Sequence, residues 1–409
     1  MSNNILWLDN GSVSSPAGFK ASGVTAGFKK SGAADCAMIY SEKPCNAAGA
    51  FTSCVFAAAP VRVCKEQLAG HTPVHACFIN SGNANACTGE NGMDNARKTC
   101  SMVADALKIN ANSVLVSSTG RIGVQMPMDI VQKGVNLCAA ALSADGGIDA
   151  SKAIMTTDTV NKSVALELTL PEGKVRIGAM TKGAGMIDPS MKVLHATMLC
   201  YITTDADVQR ADLQKVMDKG IESSFNRITI DGDMSTNDTT ILLANGASGV
   251  KIAYGTPSFD AFADAVLQVM QSLARQMVMD GEGVTKFVEV KVVNARNYDD
   301  AKKLAEAVAN SLLCKTAWFG CDPNWGRVVA ALGYSGVEFN PDLVNIYYDG
   351  IPVVRDGGDA GTPEEDLAGV MKKREFTIVC DMNCGKTDYW VWTGDITYEY
   401  VKINADYHT

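Results

Sequence analysis

The 409-residue sequence contains very little histidine: the four are His71, His75, His195 and His408. So few imidazoles argue against a histidine-rich metal site, and they leave few candidates for the base of a Ser-His-Asp triad. The sequence also has no run of about 18 apolar residues, the length that spans a bilayer. Residues 1–11 lack both the basic and the apolar region of a secretory signal. We therefore expect no metal, no membrane partner and a cytoplasmic protein.

Positive charge is scarce as well, since 36 Lys and Arg stand against 45 Asp and Glu, for a formal charge of −9. Without a long basic run, nucleic acid and anionic membranes are unexpected partners, and a small polar substrate is favoured. The thirteen cysteines are dispersed from Cys36 to Cys384 and form no Cys-x-x-Cys pair. This usage is typical of reduced thiols in a cytosolic protein.

Strand-like and helix-like segments alternate along the chain, which predicts a mixed α/β (α+β) fold of mostly antiparallel sheets layered with helices. Apolar residues alternate over residues 164–170 and 288–292, as in half-buried strands. Apolar stripes at steps of three and four predict helices over residues 93–107, 259–277 and around 301–312. The length allows two or three domains, or one large α/β unit.

Two polar segments follow apolar strands in the first third of the chain. Asn80–Gly89 is so rich in asparagine and glycine that we interpret it as a turn. Ser117–Gly123, with the sequence SSTGRIG, ends a strand in Thr119-Gly120, which can expose a hydroxyl and a backbone N–H side by side. An oxyanion hole needs that arrangement, although an ordinary turn is an equally simple interpretation of the segment alone.

The most informative segment runs from residue 181 to residue 206. It joins Lys182, flanked by glycine, to a loop and then to Ala196-Thr197 at the start of an apolar strand. A threonine placed there, after a loop that can bend back on its own peptide bond, meets the requirement for self-cleavage. The α-amine it would gain has an ordinary pKa of about 7.7–8.0 and could accept the hydroxyl proton. A threonine that only begins a strand is the alternative.

Three further segments carry polar side chains without a decisive spacing. Residues 224–239 could bind a metal, but their irregular spacing favours a polar turn network. Glu282, alone between two glycines, is weak evidence by itself. The tail over residues 403–409, with tyrosines before and within it, predicts a C-terminus that is tied down.

Taken together and in this order, the segments resemble the ornithine acetyltransferase family, also called arginine-biosynthesis bifunctional proteins or glutamate N-acetyltransferases. The likeness covers nearly the whole chain, from Pro16 to the tail. The motifs that carry it are PAGFKASGVTAGFKK, NSGNANACTG, SSTGRIG, MTTDT, TKGAGM, ATMLCYITTDA, SFNRITIDGDMSTNDT, GEGVTK, DPNWGR and INADYHT.

The resemblance implies a cytosolic enzyme of the N-terminal-nucleophile kind that cuts itself between Ala196 and Thr197. Residues 1–196 would form an α chain and residues 197–409 a β chain, and the two would assemble as an α2β2 heterotetramer. Thr197 would be the nucleophile, with Thr119 and Gly120 as the oxyanion hole. The implied substrate-binding residues are Thr156 or Thr157, which the motif does not distinguish, Lys182, Thr197, Glu282, Asn404 and Thr409.

The implied reaction transfers acetyl from N2-acetyl-L-ornithine to L-glutamate through an acetyl-threonine, without a cofactor. Acetyl-CoA as a second donor stays open. Two alternatives are an aminopeptidase or amidase of the same superfamily, and an unprocessed ligand-binding relative without catalysis. The second arises because four residues, Lys192–His195, lie between Met191 and Ala196, where the family usually runs from Pro-x-Met straight into Ala-Thr-Met-Leu. They precede the predicted cut, so we expect them to affect the efficiency of self-cleavage more than the identity of the nucleophile.

Overall fold

Two large sheets organise the chain in the computed structural model, which describes residues 4–188 and 198–406. The strands are β1 (Ile5–Trp7), β2 (Phe19–Val24), β3 (Cys36–Phe51), β4 (Val74–Asn83), β5 (Val114–Arg121), β6 (Lys162–Leu170), β7 (Gly173–Lys182), β8 (Leu199–Thr204), β9 (Asp207–Val208), β10 (Ile228–Thr229), β11 (Thr239–Ala244), β12 (Lys251–Ile252), β13 (Phe287–Ala295), β14 (Asn345–Tyr348), β15 (Ile351–Arg355), β16 (Gly358–Asp359), β17 (Glu375–Asp381) and β18 (Thr387–Gly394).

The helices are α1 (Ala59–Ala69), α2 (Gly89–Leu107), α3 (Met128–Ala140), α4 (Gly147–Ala153), α5 (Arg210–Glu222), α6 (Pro257–Met279), α7 (Tyr298–Ala309), α8 (Leu312–Phe319), α9 (Trp325–Gly333), α10 (Glu364–Lys372) and α11 (Tyr398–Asp406). Short 3-10 turns occupy Ala111–Ser113, Phe225–Arg227 and Pro341–Leu343. The chain divides into two compact units. The first contains the described residues up to Asn226 together with Met234–Met277, and the second contains Arg227–Asp233 and residues 278–406.

The first unit is built on a nine-stranded sheet in the order β1-β6-β7-β8-β11-β3-β4-β5, with β2 paired to β3. Side chains alternate between the two faces of its strands, as the period of two requires. Phe78 of β4 and Val116 of β5 pack in one apolar cluster with Val103 of α2 and Val135 of α3. Ile79 and Leu115 belong to a different cluster, because the next residue along each strand points the other way.

The second unit contains a seven-stranded sheet in the order β10-β18-β13-β17-β14-β15-β16. The alternating Val288, Val290 and Val292 of β13 are buried in its core. Strand β13 is antiparallel to β18 and parallel to β17. Across both units the antiparallel pairs outnumber the parallel ones among the described residues, so the predicted fold class is confirmed.

Two of the predicted segments, a helix and a turn, each have one boundary wrong. The helix predicted around residues 301–312 stops at Ala309, because the Ser311 side chain accepts a hydrogen bond from the Cys314 N–H and begins a second helix. The turn predicted over Asn80–Gly89 begins too early, since β4 continues to Asn83 by pairing with β5. The helices predicted over residues 93–107 and 259–277 are confirmed as parts of α2 and α6.

All thirteen cysteines lie in the described ranges and each is a free thiol. Within residues 4–188 and 198–406, none of the helices has the length and apolar character needed to cross a membrane. The predicted scissile pair Ala196 and Thr197, the extra residues Lys192–His195 and the terminal Thr409 lie outside the described residues. The division into an α and a β chain therefore stays a prediction.

Candidate active site

The ends of β4 and β5 bring two of the polar segments together. The strands run parallel, with Ser81 opposite Thr119 and Gly82 opposite Gly120. Gly120 has φ +124°, and a Cβ built on it would lie 2.5 Å from the Gly82 carbonyl carbon. Only glycine satisfies both the dihedral angle and the close backbone approach. The pairing of these strand ends therefore fixes the place of Thr119, whose side chain is buried.

Lys182, the last residue of β7, reaches the same place from another strand of the sheet. Its Nζ donates a hydrogen bond to Thr119 Oγ1 at 3.5 Å, and both residues are buried. Strand β7 is antiparallel to β8, with Lys182 opposite Leu199. The predicted oxyanion threonine and the predicted substrate-binding lysine thus meet beside the start of β8. Thr197, the predicted nucleophile, precedes that strand by two residues in the sequence.

Asp158 connects the MTTDT and TKGAG motifs. Its Oδ1 accepts hydrogen bonds from Lys162 Nζ at 2.7 Å and from the Gly183 N–H at 2.8 Å. Its Oδ2 accepts from the Thr156 N–H at 3.0 Å. The carboxylate therefore holds the backbone beside Lys182 against the backbone of Thr156. Thr157, like Thr156, is partly exposed, and the choice between these two predicted substrate contacts stays open.

Buried charges dominate the electrostatics around this carboxylate. Burial alone would raise the pKa of Asp158, but the ammonium groups of Lys182 and Lys162 and the Gly183 N–H hold it well below its ordinary range. Burial lowers the pKa of Lys29, and Asp35 opposes that shift while Lys182 adds to it. Asp158 is thus an anion at neutral pH among several lysines.

The polar run over residues 224–239 also reaches this end of the sheet. Asn237 Nδ2 donates to Ser118 O at 2.8 Å, and Asp238 Oδ1 accepts from the Met198 N–H at 2.5 Å. Sequence reasoning predicted a polar turn network here but singled out neither side chain. It also missed Asp158. These contacts join segments 25 to 119 residues apart, so no local pattern could have revealed them.

Two further predicted substrate-binding residues, Glu282 and Asn404, lie in the second unit. Asn404 of α11 donates from Nδ2 to Glu282 Oε2 at 2.7 Å, and Glu282 is buried. Nearby, Tyr400 Oη donates to Asp231 at 3.3 Å. Burial, followed by the charge of Asp231, raises the pKa of Tyr400. The predicted anchoring of the tail is confirmed at Asn404, whereas Thr409 falls outside the described residues.

Comparison with known proteins identifies the family. The model of the ArgJ family matches residues 20–409. The chain belongs to the ArgJ family. This membership confirms the resemblance seen in the ordered motifs, and it confirms the expectation of an enzyme.

Individual ArgJ relatives match over their full length. The arginine biosynthesis bifunctional protein ArgJ of Symbiobacterium thermophilum is 46% identical, over 98% of this chain and 100% of the relative. The glutamate N-acetyltransferase of Methanocaldococcus jannaschii is 44% identical, over 98% of this chain and 99% of the relative. A crystal structure of ornithine acetyltransferase complexed with ornithine, from Mycobacterium tuberculosis, is 42% identical with a TM-score of 0.43, covering 46% of this chain and 99% of that chain.

Proposed function

We propose that the chain is a glutamate N-acetyltransferase that moves the acetyl group of N2-acetyl-L-ornithine to L-glutamate. The observation that carries the proposal is the convergence of Thr119 and Lys182 beside the start of β8, which follows Thr197 by two residues in the sequence. A nucleophile, an oxyanion donor and a cation for a substrate carboxylate would then lie at one end of one sheet. Family membership supports the assignment, because one relative is named glutamate N-acetyltransferase.

Self-cleavage would prepare the nucleophile. Thr197 Oγ attacks the Ala196 carbonyl carbon, the Ala196–Thr197 C–N bond breaks, and the freed nitrogen takes the proton to become an α-amine. Water then hydrolyses the resulting ester, which restores the hydroxyl and leaves a carboxylate on Ala196. The products are the α chain over residues 1–196 and the β chain over residues 197–409. The base is now part of the same residue as the nucleophile, so the chemistry needs no histidine.

Acetyl transfer would proceed in two halves. In the first, Thr197 Oγ attacks the acetyl carbonyl, its proton passes through the α-amine to the departing nitrogen, and L-ornithine leaves an acetyl ester on Thr197. In the second, the glutamate amine attacks that ester, the C–O bond breaks, and Thr197 Oγ regains a proton. Thr119 Oγ1 and the Gly120 N–H would stabilise the oxyanion in both halves. No cofactor enters these steps, and acetyl-CoA would be a second acetyl donor rather than a bound group.

The proposed substrates are amino acids, which carry both signs of charge. Lys182 is suited to the substrate carboxylate, because an ammonium binds it as a point charge. We assign Glu282 and Asn404 to substrate binding from the family motifs, together with Thr156 or Thr157 and the terminal Thr409. We also propose a cytoplasmic enzyme with an α2β2 assembly.

Replacing the nucleophile tests the proposal directly. Purified wild-type protein is expected to give two fragments on a denaturing gel, the second beginning Thr197-Met198-Leu199 by N-terminal sequencing. Thr197→Ala is expected to give one full-length band and no acetyl transfer. A single wild-type band would contradict self-cleavage and favour an unprocessed ligand-binding protein.

Steady-state kinetics test the acetyl-enzyme. Parallel double-reciprocal lines for acetylornithine and glutamate are expected, because ornithine leaves before glutamate reacts. Intersecting lines would contradict the scheme. Consumption of acetylornithine without formation of N-acetylglutamate would identify an amidase instead, and the same assay with acetyl-CoA would decide whether it is also a donor.

A further inference from the structure

Residues 235–239 connect the end of β5 with the start of β8 in the first unit. The proposed reaction needs these two strand ends in fixed positions. Asn237 Nδ2 donates to Ala84 O at 2.6 Å and to Ser118 O at 2.8 Å, one residue before Thr119. Thr236 Oγ1 donates to Asn237 Oδ1 at 2.6 Å, which orients the amide. All of these side chains are buried. Side-chain hydrogen bonds, rather than strand pairing, therefore hold this segment at the end of β5.

The next residue, Asp238, accepts a hydrogen bond from the backbone just before β8. Its Oδ1 lies 2.5 Å from the Met198 nitrogen, and the residue has 0% exposure. Its backbone is held separately, because Asp238 O accepts from the Thr52 N–H at 2.9 Å. The carboxylate is thus directed at one peptide N–H from a fixed backbone position. That peptide bond joins Met198 to Thr197.

Met198 precedes the regular pairing of β8 yet is held on both of its backbone groups. Its N–H donates to Asp238, and its carbonyl accepts from the Thr239 N–H at 2.9 Å. Strand pairing begins at Leu199, which lies between Lys182 of β7 and Thr239 of β11. Asp238 therefore fixes the Met198 N–H, which belongs to the peptide bond that follows Thr197.

We propose that Asp238 is a positioning residue, which fixes the peptide bond after Thr197 relative to the Thr119 strand end through the adjacent Asn237. The inference rests on the proposed function, because it gives Asp238 a role only if Thr197 is the nucleophile. A nucleophile approaches its carbonyl carbon within about 3–3.5 Å, and misplacement by about 1 Å can cost about 10²-fold in rate. Both self-cleavage and acetyl transfer use the same hydroxyl, so both depend on this hydrogen bond.

The test compares Asp238→Ala with Asp238→Asn in the full-length chain. Asp238→Ala removes the acceptor and is expected to slow self-cleavage about 10²-fold, with a similar loss of kcat in the cleaved fraction and little change in KM. Asp238→Asn keeps a side-chain oxygen that can accept from the Met198 N–H, so both rates are expected within about tenfold of wild type. Cleavage is followed by denaturing gel and intact mass, and turnover by N-acetylglutamate formation.

Asp205 offers a matched control at the opposite end of β8. Its carboxylate is also buried and accepts two backbone N–H groups, from Ala17 at 3.0 Å and Arg176 at 2.8 Å. Asp205→Ala is expected to lower the melting temperature while the folded protein cleaves and turns over at the wild-type rate. Equal losses of rate in Asp205→Ala and Asp238→Ala would overturn the positioning role and leave only a structural one.

The outcomes separate this inference from the proposed function. If wild type cleaves and transfers acetyl but Asp238→Ala does so equally fast, only the role of Asp238 is overturned. If wild type neither cleaves nor transfers acetyl, the proposed function itself fails. If Asp238→Ala does not fold, Asp238→Asn decides alone. A folded Asp238→Asn slowed more than about 10²-fold would show that an acceptor oxygen at this position does not restore the rate, and it would overturn the inference.

Discussion

The Lys162 ammonium and the Asp158 carboxylate lie 2.7 Å apart, and neither side chain is exposed to solvent. The pair is set beside two predicted substrate-binding segments, because Asp158 also accepts from the backbone of Thr156 and Gly183. Removing Lys162 takes away the ammonium in direct contact with Asp158 and leaves a buried carboxylate that Lys182 and the backbone donors compensate less fully. The stability of this part of the sheet should therefore depend on both ions being present.

Lys162→Met tests that dependence at the scale of one residue. It is expected to lower the free energy of unfolding by about 3 kcal/mol at pH 7, measured by denaturant titration, which is the lower end of the range for a broken buried pair because Lys182 still compensates Asp158. Lys174→Met is the control: it removes an exposed lysine from its ion pair with Glu167, which keeps Arg176 as a partner, and it should change stability little. A loss in Lys162→Met no larger than in this control would contradict the argument.

The direction of the pH dependence follows from the same pair. The pKa of Asp158 is depressed in the folded protein. The carboxylate therefore stabilises the fold fully above its unfolded pKa of about 3.9, and this stabilisation is lost as pH falls through the folded value. Lys162→Met removes part of that depression, while Lys182 and the Gly183 N–H keep the rest. The difference in unfolding free energy between wild type and Lys162→Met should therefore shrink when the titration is repeated between pH 7 and pH 3.

At the scale of elements, the approach of β4 to β5 depends on two glycines facing each other. A Cβ on Gly120 would lie within 2.7 Å of three backbone atoms of Gly82, and backbone cannot move aside as a flexible side chain can. Gly123, three residues further on, also has a positive φ, of +78°, but a Cβ there meets nothing within 4 Å. Comparing substitutions at the two positions therefore separates the cost of a left-handed dihedral angle from the cost of steric crowding.

Gly120→Ala and Gly123→Ala form a matched pair of variants. Gly123→Ala is expected to cost about 1–2 kcal/mol of stability through its left-handed dihedral alone, with normal self-cleavage. Gly120→Ala is expected to cost more and to slow self-cleavage, because the strand ends must separate and Thr119 moves with them. Melting curves and cleavage time courses measure both effects. Equal behaviour of the two variants would show that crowding against Gly82 has no functional consequence.

Local sequence patterns predicted the elements but not the contacts between them. The apolar stripes of α2 and α6 repeat every three or four residues, so periodicity alone was sufficient. The end of α7 was missed because the Ser311 hydroxyl, a single capping group, stops one helix and starts the next. Thr119 and Lys182 were singled out by their motifs, yet their contact joins residues 63 apart, and only the strand order brings them together.

At the scale of the whole molecule, the predicted cut would divide the nine-stranded sheet in an unusual way. Strands β8 and β11 would belong to the β chain, whereas β7 on one side and β3 on the other would belong to the α chain. Six residue pairs join β7 to β8, and six join β3 to β11. The two products would therefore be interleaved within one sheet and core rather than placed in separate units.

This interleaving predicts how the cleaved protein behaves. The two fragments are expected to co-elute in gel filtration and to separate only in denaturant. Separating them would expose the paired edges of β8 and β11, the edges of β7 and β3 that face them, and buried apolar side chains. Residues 1–196 expressed alone should be insoluble or unfolded by circular dichroism, since they lack β8 and β11. Residues 197–409 expressed alone contain the whole second unit and should lose only the structure of β8 and β11, which have no α-chain strands to pair with. Fragments that separate in native buffer, or a soluble and folded α chain alone, would contradict this arrangement.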